Sequence, residues 1–278
     1  MSPRVIDVTD PADARVADFR DLNSIDRRPD LPTGRALVIG EGVLVVRRML
    51  GSRFAPFALF GTDRRLTELS ADLAGPDIHH YTDIPYYRAD AEVMARVVGF
   101  HLNRGVLAAA RRPPPLTLAG VLDGARTVVV LEGVNDHENL GSIFRNAAGL
   151  GVDAVVFGPG CADPLYRRAV RVSMGHALLV PYAHAQSWPS DLHMLRDRGF
   201  RLLAMTPDRH AAALPDAIAA MADDAVAILV GAEGPGLTKP AIRASEMRVR
   251  IPMSRGTDSL NVATAAALAF YERARLAR

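Results

Sequence analysis

The sequence predicts an α/β protein whose C-terminal half is an open parallel sheet, with a smaller α/β domain ahead of it. Three observations carry that expectation. Short apolar runs alternate with stretches whose apolar residues recur at helical spacing, the pattern of strand–helix units folding onto both faces of a parallel sheet. A proline-dense stretch, Arg111-Arg-Pro-Pro-Pro115, divides this alternation in two, because consecutive prolines hold extended polyproline geometry and act as a stiff spacer. Loops rich in small residues, Gly231 to Leu237 and Pro252 to Asn261, follow late strands, and open sheets bind ligands outside the carboxyl ends of their strands.

The composition bounds the class. A chain of 278 residues makes one large or two ordinary domains, and 49% hydrophobic with 23% charged residues suits a globular chain able to bury a core. The net charge is only +2, so any surface for nucleic acid must be local, although the pI of about 8.9 leans basic. One cysteine, Cys161, excludes an intrachain disulfide and a multi-cysteine zinc site. No run of about 18 apolar residues is present, and Met1-Ser-Pro-Arg leads into charged residues rather than an apolar signal core. A cytoplasmic protein with no membrane partner is the expectation.

In chain order, residues 1–33 read as an N-terminal extension with little core of its own, dense in charge and proline, with a short helix over Ala12 to Phe19. Residues 34–110 read as the small domain. Its strands are Ala36 to Ile39, Pro56 to Phe60 and Ile78 to Tyr81. Its helices are Val43 to Leu50, Leu66 to Leu73 and Ala89 to Val98. Residues 111–117 form the linker, and the larger domain occupies 118–278. There the strands are Val128 to Leu131, Ala154 to Phe157, Leu178 to Val180, Leu202 to Met205, Val226 to Val230 and Arg248 to Ile251, about six in all. Asn139 precedes a helix with apolar face Leu140, Ile143, Phe144, Ala147 and Ala148. Asp163-Pro164 opens another through Val172, and Asp191 to Arg198 ends at Gly199. Pro252 stops the last strand, and an alanine-rich helix runs from Val262 to Leu276.

The first strand of the larger domain leads into Glu132-Gly-Val-Asn-Asp-His-Glu-Asn-Leu-Gly141, which is not the G-x-G-x-x-G of dinucleotide sites. Three other segments stand out in order: Asn139-Leu-Gly-Ser-Ile-Phe-Arg145, Gly231-Ala-Glu233-Gly-Pro-Gly236, and Ile251-Pro-Met followed by Ser259-Leu-Asn261. Taken alone, Asn139, Ser259 and Asn261 serve equally as helix caps or as site residues, Glu233 as a solvated loop charge, and Arg145 as a surface arginine. Taken together, the segments resemble the SpoU (TrmH) family of the SPOUT superfamily, RNA ribose 2′-O-methyltransferases that use S-adenosylmethionine. The family's motifs run Asn-x-Gly-x-x-x-Arg, Gly-x-Glu-x-x-Gly, and Ile-Pro-Met with Ser-Leu-Asn, and all stand here over about the last 150 residues.

The resemblance implies a SPOUT-type parallel sheet with a trefoil knot. Asn139, Arg145, Glu233, Ser259 and Asn261 would form the catalytic set, and backbone groups of Thr206, Gly231, Ile251 and Leu260 would hold S-adenosylmethionine. It further implies a homodimer paired through the knotted region and an RNA substrate (rRNA ahead of tRNA). The glycine loop at Gly231 and the lack of a convincing ligand cluster in the sequence lead to the expectation of no metal in methyl transfer. His101-Leu-Asn-Arg104-Gly105 and Glu41-Gly42 resemble the small substrate-binding domain, of a fold like ribosomal protein L30e, that often precedes the catalytic domain. In it, Arg47, Arg48, Arg53, Arg64, Arg65 and Arg104 are candidates for phosphate contacts or ordinary solvated charge. The basic face of Tyr166, Arg167, Arg168 and Arg171 is open to the same two readings. Cys161 has no motif around it. A thiolate that adds to a pyrimidine ring is thus missing from the motifs, which favours ribose oxygen over ring carbon as the methyl acceptor.

Overall fold

The structure, a computed structural model, describes residues 4–22, 36–74, 84–254 and 259–276. In chain order the elements begin with β1 (Arg4–Asp7), a 3-10 helix (Ala14–Phe19), β2 (Leu37–Glu41), α1 (Val43–Leu50), β3 (Pro56–Gly61), α2 (Asp63–Leu73), β4 (Pro85–Arg88), α3 (Ala91–Val98) and β5 (Val106–Arg111). They continue with α4 (Leu118–Leu122), β6 (Thr127–Glu132), α5 (His137–Gly149), β7 (Ala154–Phe157), α6 (Arg167–Val172) and a 3-10 helix (His176–Leu178). The rest are β8 (Tyr182–His184), α7 (Asp191–Asp197), β9 (Phe200–Met205), β10 (Ala212–Ala213), α8 (Leu214–Ala220), β11 (Ala225–Gly231), α9 (Lys239–Ala244), β12 (Met247–Arg250) and α10 (Val262–Leu276). The strand expected at Ile78 to Tyr81, and Arg255 to Asp258 of the last loop, lie outside the described residues.

The chain divides into two compact units, Met1–Pro114 with Asp163–Leu179, and Pro115–Ala162 with Val180–Arg278. The larger domain is therefore not the continuous stretch 118–278 that the sequence suggests. Residues 163–179 belong with the first unit, and a buried carboxylate explains why. Glu41, at the end of β2, is 5% exposed, and a charge so placed needs a partner. Arg167 supplies it at 2.8 Å while its guanidinium lies over the Phe100 ring, and Arg171 stands 3.9 Å from the same oxygen. Asp163 pairs with Arg112.

The first unit holds a five-stranded sheet in the order β1-β4-β3-β5-β2, with β5 antiparallel to both its neighbours. The N-terminal extension contributes more core than expected. β1 pairs along β4, and Val8, Val16 and Phe19 are buried in one cluster with Phe60 and Leu107. Arg111 is not linker but the last residue of β5, opposite Leu37.

The second unit holds a seven-stranded sheet in the order β10-β12-β9-β11-β6-β7-β8, with every pair parallel. Its central strands β6 and β11 are buried on both faces, which is why they read as unbroken runs of Val, Ile and Leu. The strand expected at Leu178 to Val180 is not there. His176–Leu178 is a 3-10 helix and the strand follows Pro181 at Tyr182–His184. Three apolar residues in a row fit a short helix as well as a strand, so the run alone could not decide, and Leu179 in its middle is exposed. The last strand ends at Arg250, leaving Ile251 in the loop beyond it. Inside α10 the buried Arg273 donates to the carbonyls of Met221 and Ala222, both at 2.9 Å, and fastens the helix to the segment after α8.

Candidate functional site

The site begins where β11 ends. Gly231 sits opposite Glu132 of β6 in the sheet, and the chain then turns back on itself through a bridge between Ala232 and Gly236. Gly234 and Gly236 adopt φ of +85° and +70°, a left-handed backbone that a side chain would strain. Gly231 is required for a different reason. A Cβ there would stand 2.2 Å from the carbonyl carbon of Gly236 and the nitrogen of Leu237. The returning loop leaves no room for a side chain.

This loop forms one wall of a cavity of about 340 Å³ at the carboxyl ends of β9 and β11. The four residues expected to hold a cofactor, Thr206, Gly231, Ile251 and Leu260, all line it, as do Glu233, Ser259 and Asn261 of the expected catalytic set. Met205, Val230, Met253 and Val262 add apolar wall that the motifs did not indicate. Ser259 is exposed and makes no hydrogen bond among the described residues, so it caps nothing.

Three side chains from distant parts of the sequence meet at the rim. Asn261 caps α10, its Oδ1 accepting from the backbone nitrogens of Ala263 (3.0 Å) and Thr264 (3.2 Å). Its Nδ2 donates to Asn139 Oδ1 at 2.7 Å and to Glu233 Oε1 at 2.9 Å. Asn139 Nδ2 donates to the same Glu233 oxygen at 3.2 Å. The carboxylate thus collects two amides and ties together the first turn of α5, the glycine loop and the start of α10. Asn139 is not a cap, because α5 begins at His137 and Asp136 takes that role, accepting from Glu138 and Asn139 nitrogens. A second tie follows two turns later, where Asn146 Nδ2 donates to the Ala263 carbonyl at 3.3 Å.

Arg145 stands apart from this clamp. It is exposed on α5, does not line the cavity, and has no hydrogen-bond or ion-pair partner among the described residues. Six residues beyond Asn139, it lies about 9 Å further along the helix axis and on a different face. Glu233 therefore anchors Asn139 and Asn261 and does not hold Arg145.

Several arginines of the first unit are already engaged. Arg47 pairs with Asp72 (2.8 Å), Arg65 with Glu68 (2.5 Å), and Arg48 and Arg53 donate to the carbonyls of Met174 and Pro114. Arg64 and Arg104 have no such partner among the described residues. No group of three His, Cys, Asp or Glu side chains placed to hold a metal occurs among those residues either. Cys161 donates to the Leu131 carbonyl at 3.3 Å, and burial pushes its thiol up to about 11.

A model of the SpoU rRNA methylase family matches residues 126–271. The chain belongs to that family. Asn139, Glu233, Asn261 and Arg145 all lie inside the matched stretch. An uncharacterized tRNA/rRNA methyltransferase of Mycobacterium tuberculosis is 74% identical over 271 residues, covering 98% of this chain and 92% of that one. A 23S rRNA (guanosine-2′-O-)-methyltransferase RlmB of a Burkholderia species is 30% identical, over 67% of this chain and 76% of its own. Two solved structures share the SpoU fold over nearly the whole chain. AviRb of Streptomyces viridochromogenes, in complex with AdoMet, aligns with a TM-score of 0.74 at 20% identity, over 95% of this chain and 98% of its own. An rRNA methyltransferase of Sinorhizobium meliloti aligns with a TM-score of 0.76 at 22% identity, over 98% of both chains.

Proposed function

We propose that the protein transfers a methyl group from S-adenosylmethionine to a ribose 2′-hydroxyl of RNA, with ribosomal RNA the substrate ahead of tRNA. One observation carries the reading. The glycine loop from Gly231 to Gly236 and the residues Ile251, Met253, Ser259, Leu260 and Asn261 line one cavity, and the Asn139–Glu233–Asn261 clamp ties the first turn of α5 to its rim.

The cavity suits such a cofactor. Its apolar walls and side-chain-free glycine loop offer backbone groups at close range, the usual makeup of a small-molecule pocket. S-adenosylmethionine supplies an electrophilic methyl group on a sulfonium. Thr206, Gly231, Ile251 and Leu260 would hold it, and the clamp would keep the loop and α10 from opening. Arg145, uncommitted to any ion pair among the described residues, acts on the acceptor side. A guanidinium, which keeps its proton in a protein, is a poor base. It serves better to grip the phosphate beside the target ribose and to stabilise negative charge growing on the 2′-oxygen.

Support for ribosomal RNA comes from the RlmB relative, a 23S rRNA (guanosine-2′-O-)-methyltransferase, and from the L30e-like reading of the first unit. The same proposal includes the trefoil knot, a cytoplasmic location and a homodimer. For the dimer, α10 offers exposed Leu268 (39%) and Tyr271 (55%). The test is to compare ribose methylation of rRNA and tRNA between the source organism and a strain lacking the gene. We expect one 2′-O-methyl mark in rRNA to vanish, and to return with the wild-type gene but not with Arg145→Ala. Loss of a base methyl instead, or of a tRNA mark, would overturn the acceptor or the substrate assignment.

A further inference from the structure

We propose that Glu132 is the positioning residue of the cofactor loop, holding both of its ends although it touches neither the cavity nor the clamp. The inference rests on the reading of the cavity as the S-adenosylmethionine site. Glu132 closes β6 and is 3% exposed, and no cation pairs with it among the described residues. A buried carboxylate is costly unless its lone pairs are filled, so its presence asks for a reason.

Its partners give that reason. Oε1 accepts from Trp188 Nε1 at 2.6 Å and from Thr238 Oγ1 at 2.8 Å, and Oε2 accepts from the Thr238 backbone nitrogen at 2.8 Å. The backbone of Glu132 is the sheet partner of Gly231, where the loop begins. Its side chain grips Thr238, where the loop ends and α9 starts. Between those two points lie Gly231, Ala232, Glu233, Gly234 and Gly236, all of which line the cavity. One residue thus fixes the span and orientation of the segment that carries Glu233 to the clamp. Only an acceptor on both oxygens can do this. An indole N–H and a backbone N–H are donors alone, so a side-chain amide in the same place would set N–H against N–H.

The experiment measures S-adenosylmethionine binding to the full chain by calorimetry, with cofactor KM and kcat on total RNA. Wild type, Glu132→Gln, Thr238→Val and Thr238→Ser are compared, with folding followed by circular dichroism melting. We expect Glu132→Gln to weaken binding about tenfold or more, the scale of losing one hydrogen bond to a charged acceptor. KM for cofactor should rise more than kcat falls. Thr238→Val should weaken binding in the same direction, whereas Thr238→Ser, which keeps the hydroxyl, should stay near wild type. The emission of Trp188, the single tryptophan, should shift in Glu132→Gln. If Glu132→Gln does not fold, the Thr238 pair decides. A folded Glu132→Gln or Thr238→Val that binds within about twofold of wild type, or a Thr238→Ser as weak as Thr238→Val, would overturn the inference. A wild-type protein that does not bind S-adenosylmethionine would instead overturn the proposed function, and this inference with it.

Discussion

Arg145 and Asn261 separate two jobs that residues of one site perform. Arg145 has no partner among the described residues and lies off the cavity, so Arg145→Ala should leave cofactor affinity near wild type while methyl transfer falls about 10²–10³-fold. Arg145→Lys should rescue poorly, because a point charge does not reproduce the planar fork. Calorimetry beside a turnover assay checks both, and collapse of cofactor affinity in Arg145→Ala would move the residue to the cofactor side. Asn261 uses its oxygen to cap α10 and its nitrogen to hold Asn139 and Glu233. Asn261→Asp keeps the cap and loses the donor, setting a second carboxylate beside Glu233. It should fold yet transfer methyl far more slowly, and an active Asn261→Asp would show that the clamp is dispensable. At Cys161 burial raises the thiol to about 11, above the roughly 8.5 of a free cysteine. The folded state therefore keeps the proton longer. Its stabilising effect is complete below about pH 8.5 and is lost as pH rises through about 11. Alkylation at pH 8 should accordingly be slow in the native protein and fast in denaturant. Equal rates would contradict the half-buried placement of the thiol. All these residues except Cys161 were named by motif spacing. Their pairing with one another was not, because hydrogen bonds between positions 28 to 122 residues apart leave no periodic trace in a sequence.

At the scale of elements the glycine loop makes the firmest prediction. A Cβ on Gly231 meets backbone at 2.2 Å, so Gly231→Ala must push residues 236 and 237 away and open the Ala232–Gly236 bridge. Cofactor binding should be lost or fall by more than about tenfold, with a melting temperature several degrees lower. Unchanged binding would mean that the loop does not hold the cofactor. Elements with a strong signal were legible in full. Ala154–Phe157 and Val262–Leu276 have the expected bounds, since one is an unbroken apolar run and the other a long alanine-rich helix. Elements with a weak signal were not. β1 is four residues long and draws its stability from β4, which lies about 80 residues away. The helices α8 and α9 are short, each opening on a proline that reads as loop.

Over the whole molecule, the order of the chain and the grouping of its parts differ. Residues 163–179 answer the buried Glu41 of β2, a partnership 126 residues long that no local pattern announces. The basic face read there as a possible RNA contact has at least Arg167 committed to that pair. For the assembly, light scattering at micromolar concentration should give a dimer mass, and a fully active monomer would contradict the pairing proposed for α10. Methyl transfer should also withstand a chelator when RNA folding is controlled. Activity abolished by chelation and restored by a divalent ion would show that a metal takes part. The most direct test of the central claim is nucleoside analysis of RNA incubated with the protein and S-adenosylmethionine labelled at its methyl group. The account predicts label in 2′-O-methylnucleosides alone, lost with Arg145→Ala. Label in a methylated base, or none from a protein that binds the cofactor, would contradict it.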